Sequence, residues 1–279
     1  MRKNLPINEL GEDYNKIRSF LLDLNNANWQ FGRWDWGITH GHLEKDVLEK
    51  TAVWEYNNKI IALATCDITL GQGFMLVKDG YNDLKEEVFL YSKNNFSKDD
   101  EYIAVIDDQD TYMQSIAYRH GFIATQNRDP VSILHINPQN LNYKLPNGFR
   151  ITSMDETYDL EKYGRVLWKG FNHEKNGEGP YQFTKEEEAT LERMMNRSNF
   201  NLNIKVAAVN SNNDFVSYCG MWQDPNSEYV LVEPVATDPE YRMKGLGRAV
   251  VLEAIKRCYK HGAKYALVGS SQQFYYNIG

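Results

Sequence analysis

An apolar run over residues 229–236 leads to a turn spaced by two glycines, Arg242-Met243-Lys244-Gly245-Leu246-Gly247, and an amphipathic stretch then continues to about residue 261. Strand, tight turn and helix in succession constrain this chain more than any other feature. Such a turn aims several unpaired backbone N–H groups and the positive end of a helix dipole at one place, which suits a phosphate. Gly245 and Gly247 let the backbone approach an anion without an intervening Cβ and permit positive φ where the turn demands it. Arg242, Lys244 and Arg248 add positive charge around the same spot, so a pyrophosphate would be held by amides first and by side chains second. The spacing is neither G-x-x-x-x-G-K-S/T, since no Lys-Ser or Lys-Thr pair follows the second glycine, nor G-x-G-x-x-G. An ordinary helix start with glycine in the turn would show the same six residues.

The flanks narrow the choice. Glu233-Pro234-Val235-Ala236-Thr237-Asp238-Pro239-Glu240-Tyr241-Arg242 runs into the glycine turn, and the helix is followed by Lys264-Tyr265-Ala266-Leu267-Val268 and Phe274-Tyr275-Tyr276-Asn277-Ile278-Gly279. This arrangement resembles the acyl-CoA-binding core of the GNAT superfamily of N-acyltransferases. The family hallmark R/Q-x-x-G-x-G/A is filled by Arg242, Gly245 and Gly247. A second motif, F-Y-x-x-x-G-F, is filled from Phe274 to Gly279 and lacks its last Phe. The resemblance is specific over residues 229–279 and weaker elsewhere.

The resemblance implies an α/β fold with a mixed, mostly antiparallel sheet flanked by helices, and acetyl-CoA as acyl donor. Its implied cofactor contacts are Val235, Ala236, Thr237, Arg242, Met243, Lys244, Gly245, Leu246, Gly247 and Arg248. The pantetheine arm would pair with the exposed strand edge at Val235 and Thr237, and the Val235 N–H would polarise the thioester carbonyl. Tyr275, matching the motif tyrosine, is the expected acid for the leaving thiolate, since a phenol stays protonated at neutral pH; packing beside Phe274 and Tyr276 would explain it too. By the two-residue period Glu233 should share a strand face with Leu231 and Val235 and serve as base, directly or through water. A glutamate that merely precedes a proline at a strand edge is the alternative. No cysteine stands in these motifs, which favours direct attack by a primary amine over a covalent acyl intermediate. A silent acyl-CoA-binding or regulatory protein would carry the same turn.

The chain also reads as a diverged repeat. Residues 51–66 form two alternating strands around Asn57-Asn58, and residues 205–219 repeat that layout. Residues 101–106 match 264–268, each strand leading through a polar turn to an aromatic-bearing helix that ends in glycine, Gly121 or Gly279. Two GNAT-like domains are therefore expected, over 1–140 and 141–279, with the Asn-rich stretch 137–148 as linker. The first copy has lost the chemistry. After its strand it reads Lys78-Asp79-Gly80-Tyr81-Asn82-Asp83, with carboxylates where phosphate would sit, and Ala117 stands where the second copy has Tyr275. In the second copy a strand is expected at 149–153, helices at 158–171 and 185–195, and the polar loop 172–180, with His173 and Glu174, near the mouth of the cofactor cleft.

Charge and cysteine usage set outer bounds. The 279 residues carry a net charge of −7 and 42% apolar residues, which disfavours general affinity for nucleic acid or anionic membrane and mildly favours cationic amines. A small-molecule amine partner is what the resemblance implies, with aminoglycosides, aminoacyl conjugates and protein termini left open. Cys66, Cys219 and Cys258 are sparse and unpaired in pattern, and the first residues lack an apolar signal core, so a cytoplasmic protein is expected. His40 and His42 lack a companion ligand at metal-site spacing, so no metal is expected. Trp29, Trp34 and Trp36 suggest packing or a pocket wall. Family members continue past the motif glycine into closing strands. Either the chain extends further, or another segment covers that edge, or the open edge invites a homodimer.

Overall fold

The computed structural model describes residues 2–4, 11–27 and 29–279. Met1 and residues 5–10, part of the N-terminal stretch without an apolar signal core, lie outside the described residues, as does Asn28. The chain divides into two compact units, Met1–Asp129 and Pro130–Gly279.

The first unit comprises β1 (Arg2–Asn4), α1 (Glu12–Leu24), α2 (Phe31–Thr39), α3 (Lys45–Lys50), β2 (Ala52–Tyr56), β3 (Lys59–Thr65), β4 (Gln72–Val77), α4 (Lys85–Phe96), β5 (Ile103–Val105) and α5 (Thr111–Arg119). Its sheet runs β1-β2-β3-β4-β5, antiparallel except for the β4/β5 pair. Asn57 and Asn58 both take left-handed φ, 48° and 61°, which turns β2 into β3 with the twist a two-residue hairpin favours. Trp29 and Trp34 are buried with Phe31, Ile17 and Phe74, so these tryptophans are core.

The second unit comprises β6 (Ser132–His135), β7 (Arg150–Ser153), α6 (Leu160–Gly170), α7 (Lys185–Met195), β8 (Lys205–Val209), β9 (Phe215–Gln223), β10 (Tyr229–Thr237), α8 (Leu246–Lys260), β11 (Tyr265–Val268) and α9 (Gln273–Tyr276). Its sheet runs β6-β11-β10-β9-β8-β7. Only β10/β11 is parallel. Val250, Val251, Ala254, Ile255 and Cys258 of α8 pack on one sheet face with Val206, Cys219, Met221 and Val232, as a helix with one apolar stripe must. Asp159 and Thr184 cap α6 and α7 by accepting the Lys162 and Glu187 amides.

Two expectations about organisation are corrected. The units meet at Asp129/Pro130, not at residue 140. The stretch 137–148 is no free linker, because Leu141, Tyr143 and Leu145 pack into the second core. Its prolines and asparagines build a short turn over Pro138–Asn140, and its apolar residues are what the composition hid. β6 follows the first unit in sequence but pairs antiparallel with β11 of the second, Ser132 facing Val268 and His135 facing Tyr265. Of the alternatives for the open edge, β6 is the other segment that covers it.

Candidate functional site

The hydrogen-bond alternation along β10 fixes which of its backbone groups are available. The Asp238 amide donates to the Val216 carbonyl at 3.0 Å, so Asp238 and Val216 form a hydrogen-bonded antiparallel pair. Counting back, Thr237↔Ser217 and Val235↔Cys219 are non-hydrogen-bonded pairs, whose N–H and C=O groups point away from β9. On that side β11 pairs with β10 only from Tyr229 to Leu231. Beyond Leu231 the two parallel strands diverge, and Val235 and Thr237 turn their backbone groups into the gap.

The gap owes its position to a bulge. The register with β9 slips between Val232 and Val235, so Glu233 and Pro234 together face Gly220. A side chain at Gly220 would stand 2.6 Å from the Glu233 carbonyl, which explains the glycine there. The slip also corrects the facing of Glu233 inferred from a strict two-residue period. Val235 now lies on the α8 face with Val232, whereas Leu231 faces the opposite side. Glu233 itself is half-buried at the bulge, and its carbonyl accepts the Trp222 indole N–H at 2.9 Å.

The turn after β10 delivers what the glycines promise. Met243 and Gly245 take left-handed φ, 61° and 79°, and Gly245 caps α8 with no side-chain hydrogen bond. Among the described residues, none of the six amides of 243–248 donates to a protein acceptor; the first bond of the helix is Ala249 N–H to the Gly245 carbonyl. No acidic residue lies in the first turn of α8. Gly247 brings the helix onto the strand end, where a Cβ would lie 3.1 Å from Thr237 Oγ1 and 3.3 Å from the Phe274 ring. Six free amides on a positive helix end fit an anion, and a diphosphate in particular.

The cations around this turn behave differently from expectation. Arg242 does not point its charge at the amides: its Nε donates to the Thr237 carbonyl at 3.1 Å, and its Nη2 donates to the Gly170 carbonyl and Asn172 Oδ1 at 2.8 and 2.9 Å. It ties the end of α6 to the end of β10. Gly170 makes that approach possible, since a Cβ there would stand 2.6 Å from Ala236 Cβ. Lys244 donates to the Glu240 carbonyl at 3.1 Å and Arg248 to the Asn277 carbonyl at 2.7 Å. Arg248 thereby joins α8 to the end of α9. Gly170 and Asn172 are participants that the sequence did not signal, because nothing in a motif shows which carbonyl an arginine will find.

Tyr275 packs against the α8-side core. Burial chiefly, then Cys219 and the Glu233 carboxylate, raise its phenol well above the usual tyrosine range. The structure thus brings Tyr275, Glu233 and the open edge of β10 into one neighbourhood. All three cysteines are free and buried. Burial pushes the Cys219 thiol up, and the Cys258 thiol up to about 12, so neither is a thiolate at neutral pH. The loop 172–180 sits beside this site through Asn172, with His173 stacked on Trp168 at 4.3 Å and bonded to Glu178 at 2.8 Å. Among the described residues no cluster of His, Cys, Asp or Glu could hold a metal ion, and no helix is long and apolar enough to cross a membrane.

A diverging parallel strand pair beside an amide-rich helix start makes an anion site next to an open strand edge. Residues 168–279 match the GNAT family of acetyltransferases, and the chain carries a GNAT acetyltransferase domain there. A GCN5-related N-acetyltransferase from Sphaerobacter thermophilus is 13% identical across 100% of this chain and 91% of its own, with a TM-score of 0.56. A tandem GNAT protein from the clavulanic acid biosynthesis pathway is 10% identical across 100% of this chain and 93% of its own, with a TM-score of 0.54. At such identities the likeness is one of fold, and it spans both units, which are two GNAT-like domains. No curated protein matches the chain.

Proposed function

We propose that the second unit is an N-acetyltransferase that moves an acetyl group from acetyl-CoA to the primary amine of a small molecule, in a ternary complex in the cytoplasm. The observation that carries this reading is the run of unpartnered amides at 243–248 beside the free edge of β10. The amides and the α8 dipole hold the diphosphate, with Lys244 and Arg248 near it. The Val235 backbone groups and the Thr237 N–H hold the pantetheine arm as a neighbouring strand would, the Thr237 carbonyl being engaged by Arg242.

The Val235 N–H donates to the thioester oxygen, where negative charge grows during attack. Glu233 accepts the amine proton, directly or through water. As the C–N bond forms and the C–S bond breaks, Tyr275 gives its phenolic proton to the departing sulfur. A proton passed from Glu233 to Tyr275 restores both groups, leaving amide and free thiol as products. The protonated cysteines fit direct transfer, because none is ready to carry an acyl group. The test is acetyl-CoA-dependent thiol release across a panel of primary amines. Saturable binding of acetyl-CoA without release from any amine would make the protein a binding module.

A further inference from the structure

Behind the reacting groups the second unit holds a cavity larger than an acetyl group requires. About 210 Å³ in volume, it lies between α8, α9 and the face of β11 and β6, with Leu134, Val232, Val251, Ile255, Ala266 and Val268 in its wall. Tyr275 lines it too, and no charged side chain does. The Ser132 hydroxyl in the wall already donates to the Ser270 carbonyl at 2.7 Å. Apart from backbone groups, the Ser132 hydroxyl and the phenols of Tyr275 and Tyr276, its lining is hydrocarbon, which suits an apolar group better than a phosphate or an ammonium group.

Its position relative to the β10 edge gives it an occupant. Val232 precedes the bulge and shares the α8 face with Val235, whose amide is the proposed carbonyl donor. Val232 and Tyr275 both line the cavity, so a chain attached to that carbonyl and directed toward the root of the strand gap would meet the cavity at these two side chains. We propose, resting on the acyl-CoA reading above, that this chain's donor range extends to medium-chain acyl-CoA, with the acyl tail in this cavity. An apolar cavity of about 150 Å³ holds benzene, so this one accommodates about six to eight carbons. Ile133 and Tyr276 form an exposed rim, 52% and 54% accessible, through which a longer tail reaches solvent.

The experiment is a calorimetric titration of the full chain with acetyl-, butyryl-, hexanoyl-, octanoyl- and dodecanoyl-CoA, which reads binding independently of turnover. Each fully buried methylene is worth up to about fourfold in affinity. Hexanoyl-CoA is expected to bind at least about tenfold more tightly than acetyl-CoA, with the gain levelling off past octanoyl. Val251→Phe, and separately Ile255→Phe, fill the cavity and should abolish the gain in protein whose melting curve stays cooperative. The wild-type series decides even if both variants fail to fold. Equal affinities for acetyl- and hexanoyl-CoA overturn this inference and leave the acetyl-CoA reading intact. A rise that continues through dodecanoyl and persists in a folded variant also overturns it. Absence of binding by every member, acetyl-CoA included, overturns both.

Discussion

The two units share the order of elements from their central hairpin onward and differ most at one junction. Each runs from a hairpin into a strand that diverges from its parallel neighbour, then through a turn into a helix. Even the hydrogen-bond phase agrees. Lys78 N–H reaches the Ile61 carbonyl at 2.8 Å as Asp238 N–H reaches Val216 at 3.0 Å, so Met75 and Val77 of β4 turn outward like Val235 and Thr237 of β10. The turns beyond these two strands are opposite in character. The first unit winds Asn82–Leu84 into a 3-10 turn whose amides close on Tyr81 and Asn82, and Glu86 and Glu87 occupy the first turn of α4. Those carboxylates are already engaged, Glu86 with His120 at 2.8 Å and Glu87 with the Trp54 indole at 2.8 Å. The first helix supplies its own anions; the second leaves its amides free. The diverging strands are therefore a property of the fold, and the chemistry resides in about ten residues of turn.

The largest expected effect tests the reacting end of this contrast. Tyr275→Phe gives the second unit a residue as unable to donate a proton as the buried Ala117 of the first. Turnover should fall about 100-fold or more, the usual range for a lost general acid, while calorimetry shows an unchanged Kd for acetyl-CoA. Undiminished turnover would remove Tyr275 from the mechanism. Because its phenol is raised above the ordinary value, wild-type turnover should show no loss from Tyr275 ionisation between about pH 8 and 10, the range below an ordinary phenol's pKa.

Next comes the helix start. Arg248→Glu puts a carboxylate where α4 has Glu87 and should weaken acetyl-CoA about 30-fold, through charge-assisted hydrogen bonds lost and repulsion gained. The wild-type chain should bind one equivalent. Two equivalents would show that the first unit's carboxylates do not exclude the ligand, and the comparison would fail there.

These contrasts were legible because they are written in residue type. Glycines at 245 and 247 against Asp79 and Asp83 in the first copy need no structure to be seen, although the carboxylates at the helix start itself are Glu86 and Glu87. The span 185–195 was readable as a helix from the carboxylates of its first turn, Glu186, Glu187 and Glu188. Three features were not readable, each for its own reason. Counting by twos along β10 assumes one residue per partner, and the bulge at Glu233-Pro234 breaks that assumption. Ser132-Ile133-Leu134-His135 is too short a run to say which sheet it joins, and pairing with β11 is decided by tertiary geometry. Arg242 looks like a phosphate ligand by proximity, yet carbonyls at Gly170 and Thr237 lie nearer to its guanidinium.

A smaller effect separates structural from ligand-binding use of a helix start. Glu87→Ala strands the Trp54 indole N–H in a residue only 2% exposed, a loss of about 1–2 kcal/mol for an unsatisfied buried donor. Thermal unfolding should show the first unit melting several degrees lower, with the acetyl-CoA affinity of the chain unchanged. A weakened affinity would mean that the units communicate and that the first is more than structural.

The smallest expected effect concerns pH and belongs to the first unit alone. Burial first, and His42 second, hold His40 down to about 4, with Asp67 opposing, against about 6.5 in an unfolded chain. Its Nδ1 accepts the His42 amide at 3.2 Å, which requires that nitrogen unprotonated. Between those two pH values the unfolded chain binds the proton and the folded unit does not, so stability is full above about 6.5 and declines as pH falls toward about 4. His40→Asn keeps an acceptor for the His42 amide and cannot titrate, so its unfolding midpoint should vary less over that window than the wild type's. The second unit has no such histidine at its free amides, and acetyl-CoA affinity at about pH 5.5, inside that window, should match in variant and wild type. A variant as acid-sensitive as the wild type would assign the decline to the carboxylates instead.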